Sequence, residues 1–275
     1  MKNSIKNTIK TLAVGAVAVP CALLLTACGD SAVKVDTKGN YTDTTVAEAT
    51  TYFEEVQANE KWDFTGLKFT ARMFMDMNAM DGEESSSLGM TMDMTINGVV
   101  SYADEILAKC DTTTKTKMTV AEQTQEATLK GNVYIKDNFI YTNNGTTKIK
   151  MPLEQSDSAG PDDITNVIPS TDLVNGYWDQ IENGTDSVLK VATKGTTVKY
   201  QLATEVVEGQ TIEMYLIFEK GQLTAFKLNV EMKGANDAVI YSISIDAVTT
   251  NETVKITENL DEYLDFSDLS GTLIG

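Results

Sequence analysis

The sequence predicts an α+β domain in which one antiparallel sheet of ten or eleven strands is covered by an N-terminal helix and a mid-chain helical insert. Three observations carry this. Apolar and polar residues alternate over runs of ten or more positions, turn dipeptides separate the runs, and no strand–helix–strand repeat of a parallel sheet is present.

The helix comes first. Val46, Ala49, Phe53 and Val56 recur at helical spacing across residues 45–58. The strands begin with Leu67, Phe69, Ala71, Met73, Met75 and Met77, which alternate with Lys68, Thr70, Arg72, Asp76 and Asn78. Met90, Met92, Met94, Ile96, Gly98 and Val100 alternate with Thr91, Asp93, Thr95 and Asn97. The polar, Ser/Gly-rich stretch 81–89 between them suits a hairpin loop. Residues 112–121, 128–136, 139–142 and 147–151 continue the series, with Asn144-Gly145 as the dipeptide a type I′ turn prefers.

Residues 152–184 interrupt the strands. After Pro169, Ser170 or Thr171 can cap a short helix whose Leu173, Val174, Tyr177, Trp178 and Ile181 share a face and which Gly184 ends. Strands then resume at 188–193, 198–202, 212–218, 223–232 and 239–248, with Lys220-Gly221 and Lys233-Gly234 as turns. The two halves resemble each other in pattern. A sheet with one apolar face needs a cover, so residues 45–275 read as one domain with the helices as that cover.

The first 27 residues read as an address. Lys2, Lys6 and Lys10 precede a run from Thr11 to Leu25 that is apolar but short for a membrane span, and Leu25-Thr26-Ala27-Cys28 follows. Small residues before a cysteine resemble the lipobox of bacterial lipoproteins. That resemblance implies cleavage after Ala27 and a diacylglyceryl thioether on Cys28. Residues 28–44, polar and small, then read as a lipidated cysteine and flexible tether. The location implied is the extracytoplasmic face of a cell membrane, on the surface of a Gram-positive cell.

Composition excludes several functions. The 275 residues hold 40 acidic and 22 basic side chains for a net charge of −18, with no histidine and one arginine, Arg72. Loss of the signal removes three lysines and no acid. No imidazole acid/base and no histidine-based triad is possible. A surplus of acid this large leaves nucleic acid no basic surface to bind. No phosphate loop or serine-nucleophile motif stands in the chain, and no cofactor is implied.

The segment Gly131-Asn132-Val133-Tyr134-Ile135-Lys136-Asp137-Asn138-Phe139-Ile140-Tyr141, followed by Lys148-Ile149-Lys150-Met151-Pro152, resembles a hairpin of the LolA/LppX-like lipoproteins. So does the order of acylated terminus, helix, long strands, helical insert and more strands. The resemblance implies a curved half-barrel closed by helices over an apolar cavity, and a non-catalytic role in binding or carrying a lipid or acyl chain for envelope maintenance. The loops of this chain are acidic, with no basic rim for an anionic headgroup.

The methionines are the unusual local feature. Met73, Met75, Met77, Met90, Met92 and Met94 would lie on one patch if their strands pair, and Trp178 could close the mouth of the half-barrel. Core packing, the wall of a deformable ligand cavity and a thioether Cu(I) site are the three readings of that patch. A protein-interaction or sensor domain with a packed core is the other functional class. Calcium fails on register: in Asp76-x-Asn78-x-x-Asp81-Gly82 the third ligand and the glycine each fall one residue late. The acidic tail after Glu258 can add a last turn or strand edge, its Asp261, Glu262, Asp265 and Asp268 read as a solvated face rather than a weak Ca²⁺ site, and Cys110 reads as a packed thiol.

Overall fold

The computed structural model describes residues 32–58, 64–76, 88–101, 105–120, 123–152, 188–207, 209–234 and 237–266. The helix α1 spans Val46–Ala58. The strands are β1 (Thr42–Asp43), β2 (Gly66–Asp76), β3 (Leu88–Ser101), β4 (Leu107–Val120), β5 (Gln123–Lys136), β6 (Phe139–Asn143), β7 (Lys148–Pro152), β8 (Val188–Lys194), β9 (Thr197–Val207), β10 (Gln210–Glu219), β11 (Gln222–Lys233), β12 (Val239–Thr250) and β13 (Leu264–Asp265).

Two meanders, β2 to β7 and β8 to β12, are fused into one sheet. The seam is the pairing of β12 with β2, from Tyr241 opposite Met75 to Thr250 opposite Gly66. The resulting order is β1-β8-β9-β10-β11-β12-β2-β3-β4-β5-β6-β7-β13, which places β2 at the centre. The sheet is curved and does not close on itself. Neighbours are antiparallel except β13, which runs parallel to β7.

Thirteen strands replace the expected ten or eleven. The eleven long ones stand where alternation puts them. The two additions, β1 and β13, are two residues each at the sheet edges, too short to show a period.

The inner face carries the core. Leu67, Phe69 and Ala71 on β2 meet Ile96 on β3, Ile243, Ile245 and Ala247 on β12, and Leu228 and Val230 on β11, all buried. Helix α1 lies on this face with Ala49, Phe53 and Val56 buried. A capping box fixes its start: Glu48 N–H donates to Thr45 Oγ1 at 3.2 Å, and Thr45 N–H donates to Glu48 Oε2 at 3.0 Å. Phe53 packs 5.1 Å from the Tyr200 ring and 5.4 Å from Phe218, with Tyr52 5.3 Å from Phe218. Burying one such ring stabilises the fold by about 1.5–3 kcal/mol.

The segment expected as a flexible tether differs from that expectation from Val33 onward. It is a strap laid across the outer face of the sheet. Val33 N–H donates to Thr70 Oγ1 on β2 at 2.7 Å, and Val35 N–H donates to Asp246 Oδ1 on β12 at 3.0 Å. Val35 is buried against Ile217, Ala225 and Val248. Lys199 on β9 donates to the Asp36 and Lys38 carbonyls, Tyr41 packs edge-on to Tyr215, and Thr42–Asp43 pairs with β8. The chain then rounds the β8 edge and enters α1 on the other side. Residues 28–31 lie outside the described residues.

Turn chemistry also differs at one place. Asn144-Gly145 sits in a four-residue loop between β6 and β7, where Asn144 Oδ1 accepts from the N–H groups of Thr146 and Thr147. Two-residue turns with both central residues at positive φ are instead Asp137–Asn138, at 52° and 61°, and the expected Lys220-Gly221, at 53° and 75°. The expected helix after Pro169 lies outside the described residues.

Candidate functional site

Register brings the methionines of two strands together. Met73 stands opposite Met94 and Met75 opposite Met92 on β2 and β3, and Met90 stands opposite Met118 on β4. Directly opposed residues in an antiparallel pair have Cα atoms about 4.5–5.5 Å apart, so each thioether pair is in side-chain contact range. Met73, Met75, Met90, Met92 and Met94 are each half-buried. Met77 and Trp178 lie outside the described residues.

The patch continues across the next strands. On β4 the same face presents Thr112, Thr114 and Thr116, and on β5 it presents Ala127 and Leu129. Leu129 is 59% exposed and Met118 39% exposed, the most open large apolar side chains of this face among the described residues. At the β8–β12 side the face is closed by α1 and its aromatic cluster. There burial pushes the Tyr200 hydroxyl up to about 12, with Tyr52 and Glu48 adding to the effect.

Charge is absent from this face. Among the described residues, the inward positions of β2 to β5 are Leu, Phe, Ala, Met, Ile, Gly, Val, Cys, Thr and Gln, and the lysines and acids of those strands all point outward. In a chain of net charge −18 this segregation leaves a neutral face that can accept alkyl chains and offers threonine hydroxyls as its polar contacts. The threonine stripe and Leu129 are the members that the methionine pattern does not reveal. Their signal is the alternation Thr112, Thr114, Thr116 against Thr113, Lys115, Lys117.

Cys110 is buried on the inner face, opposite Gly98 and Val133. The acidic tail finds cations of the protein itself. Glu258 and Glu262 both bind Lys148 Nζ, at 2.8 and 2.7 Å, and Asp265 lies 3.7 Å from Lys150. The Glu262 carboxyl is held below the usual glutamate range by the Lys148 hydrogen bond and then by Asn259. Asp268 lies outside the described residues. Among the described residues no group of three or more His, Cys, Asp or Glu side chains could hold a metal ion, and no helix is long and apolar enough to cross a membrane.

The outer face is polar. Between β9 and β12 it forms an open groove of about 600 Å³ whose lining includes Glu213, Asn229, Glu231, Ser242 and Ser244 beside apolar residues such as Ala203. Glu213 accepts hydrogen bonds there from Gln201, Tyr215 and Asn229, and Ser244 donates to Asn229. Burial first, and then donation to Glu213, holds the Tyr215 hydroxyl far above the usual phenol range.

No protein-family model and no curated protein matches the chain. Among solved structures it is similar to LprF from Mycobacterium bovis at 10% identity and a TM-score of 0.36, over 80% of this chain and 99% of that one. It is also similar to the S-type phycobiliprotein lyase CPES from Guillardia theta at 8% identity and a TM-score of 0.19, over 73% of this chain and 94% of that one. Likeness this distant decides neither fold nor role, which leaves the chain's own residues as the guide to both.

Proposed function

We propose that the protein is a non-catalytic extracytoplasmic lipoprotein of the LolA/LppX-like kind, anchored through Cys28. It binds or carries a lipid or acyl chain on the inner face of its sheet, in maintenance of the cell envelope, on the surface of a Gram-positive cell. The observation that carries this is the uncharged inner face, closed by α1 at one side and left half-exposed where Met75, Met92, Met94, Met118 and Leu129 stand. Thioethers adapt to chains of varied shape, and no carboxylate opposes an alkyl chain there.

Native mass spectrometry of residues 29–275, purified without the lipid, tests the reading. Adducts of lipid mass that leave on denaturation are expected. A clean mass that stays unshifted after incubation with lipid extract refutes it and moves attention to protein docking. Cu(I) binding is a second reading, favoured by the opposed pairs Met73–Met94 and Met75–Met92. It requires that Cu(I) titrated under reducing conditions bind the wild type and not Met75→Leu/Met92→Leu.

A further inference from the structure

The strap fixes where the N-terminal chain leaves the domain. Among the described residues its first hydrogen bond to the sheet is made by Val33, seated at Thr70, and Thr70 is fully buried and donates to Asn97 Oδ1 at 2.8 Å. Thr70 belongs to β2, which has six strands on either side. The chain therefore departs from the middle of the outer face, on the side opposite the apolar inner face.

The reach of the remaining chain limits how the domain can sit on a membrane. Cys28 precedes Val33 by five residues. Fully extended, that length spans about 18 Å. Six strand spacings of about 4.8 Å put either long edge of the sheet about 29 Å from β2. A diacylglyceryl group on Cys28 can reach the bilayer from the outer face, or from the Gly66 end of the strands. It cannot pass round an edge to bring the inner face onto the membrane.

We propose that the outer face of β2 to β5 is the surface that rests on the bilayer, so that the apolar inner face opens away from the membrane. The inference rests on acylation of Cys28. The charge of the surface agrees with it. Arg72 and Phe74 on β2 align in register with Lys115 on β4 and Lys130 on β5, with Asp93 the one acid in those two rows. In an acidic chain this is a region that anionic headgroups do not repel. A ligand on the inner face then enters from the extracellular side, from a partner or another particle, and not from the bilayer that holds the anchor.

The test uses the full chain, processed and acylated in cells and reconstituted into phosphatidylcholine–phosphatidylglycerol vesicles whose headgroups carry a nitroxide quencher. Fluorophores are placed at Lys115→Cys and Lys130→Cys on the outer face, and at Thr51→Cys and Glu54→Cys on the exposed side of α1. Wild type, whose Cys110 is buried, is the blank. The outer-face labels are expected to be quenched several-fold more than the helix labels. A twelve-residue Gly/Ser insertion after Ser31 is expected to abolish the difference. Equal quenching at the two sets, stronger quenching at α1, or a pattern unchanged by the insertion overturns the proposal. Intact mass and Cys28→Ser separate it from the reading beneath. Absence of an acyl mass, or membrane binding that survives Cys28→Ser, overturns the lipoprotein assignment itself.

Discussion

Asp246 is the residue on which the strap turns. Its carboxylate is 1% exposed, accepts the Val35 N–H, and receives Lys227 Nζ at 3.0 and 3.2 Å, with Arg72 at 3.8 Å. Asp246→Ala removes one partner of a mostly buried ion pair and the acceptor of a buried N–H. Breaking such a pair costs about 3–5 kcal/mol, and because the Lys227 side chain keeps 21% of its surface in water the lower end applies. The orphaned Val35 N–H adds about 1–3 kcal/mol if the strap stays in place. Release of the strap would instead expose Val35, at about 1.5–3 kcal/mol. The two outcomes are close in energy, so the strap is expected to open for much of the time. The expected loss on urea unfolding is then roughly 4–6 kcal/mol. Cleavage at Lys34 and Lys38 by a lysine-specific protease should rise while the sheet stays intact. Asp246→Asn, which keeps an acceptor for Val35, should cost less and protect the strap better. In the vesicle experiment Asp246→Ala frees the chain at most as far as Asp36, which Lys199 still holds, lengthening the reach to about 29 Å and relaxing the orientation. An unchanged unfolding midpoint together with unchanged cleavage of the strap would refute this account of Asp246.

Local geometry sets two further outcomes. Thr45→Ala removes the side-chain half of the capping box, the acceptor of the Glu48 N–H, and should cost about 1 kcal/mol in urea unfolding. The Glu48 carboxyl is held below its ordinary 4.5 by the Thr45 N–H first and then by the Thr44 and Thr45 hydroxyls. Its contribution is complete above that ordinary value and is lost as pH falls through the lower folded value. Thr45→Ala keeps the Thr45 N–H, so its deficit should persist at neutral pH and only the share carried by the Thr45 hydroxyl should shrink as pH falls below 4.5. Met92→Glu places a carboxylate on the uncharged inner face. Because Met92 is half-buried, the stability loss should stay near 1 kcal/mol, while lipid adducts in native mass spectra disappear. Retention of the adducts in Met92→Glu would move the ligand off this face.

The methionine face was legible from sequence because period-two alternation sorts side chains onto two faces whatever the partner strand is. Met73 and Met75 fall on one side of β2, and Met92 and Met94 on one side of β3. A short polar loop between the two strands favours pairing them as a hairpin. The helix was legible for a similar reason, since Val46, Ala49, Phe53 and Val56 form a stripe. The strap was not. Val33 to Tyr41 has no period, and it is held by two backbone hydrogen bonds, one buried valine and a lysine from β9, each from a strand more than thirty residues away in sequence.

The sequence by itself determined the eleven long strands, which face of each is apolar, and that the surplus charge must lie outside. These depend on the chain's local stereochemistry and on the cost of burying charge. Tertiary structure alone decided that β12 joins β2, making one sheet of two meanders, and that the N-terminal segment crosses the outer face to end on the central strand. Alternation is the same whichever strand lies alongside, so long-range pairing leaves no mark in it. Docking through a few hydrogen bonds leaves no pattern at all.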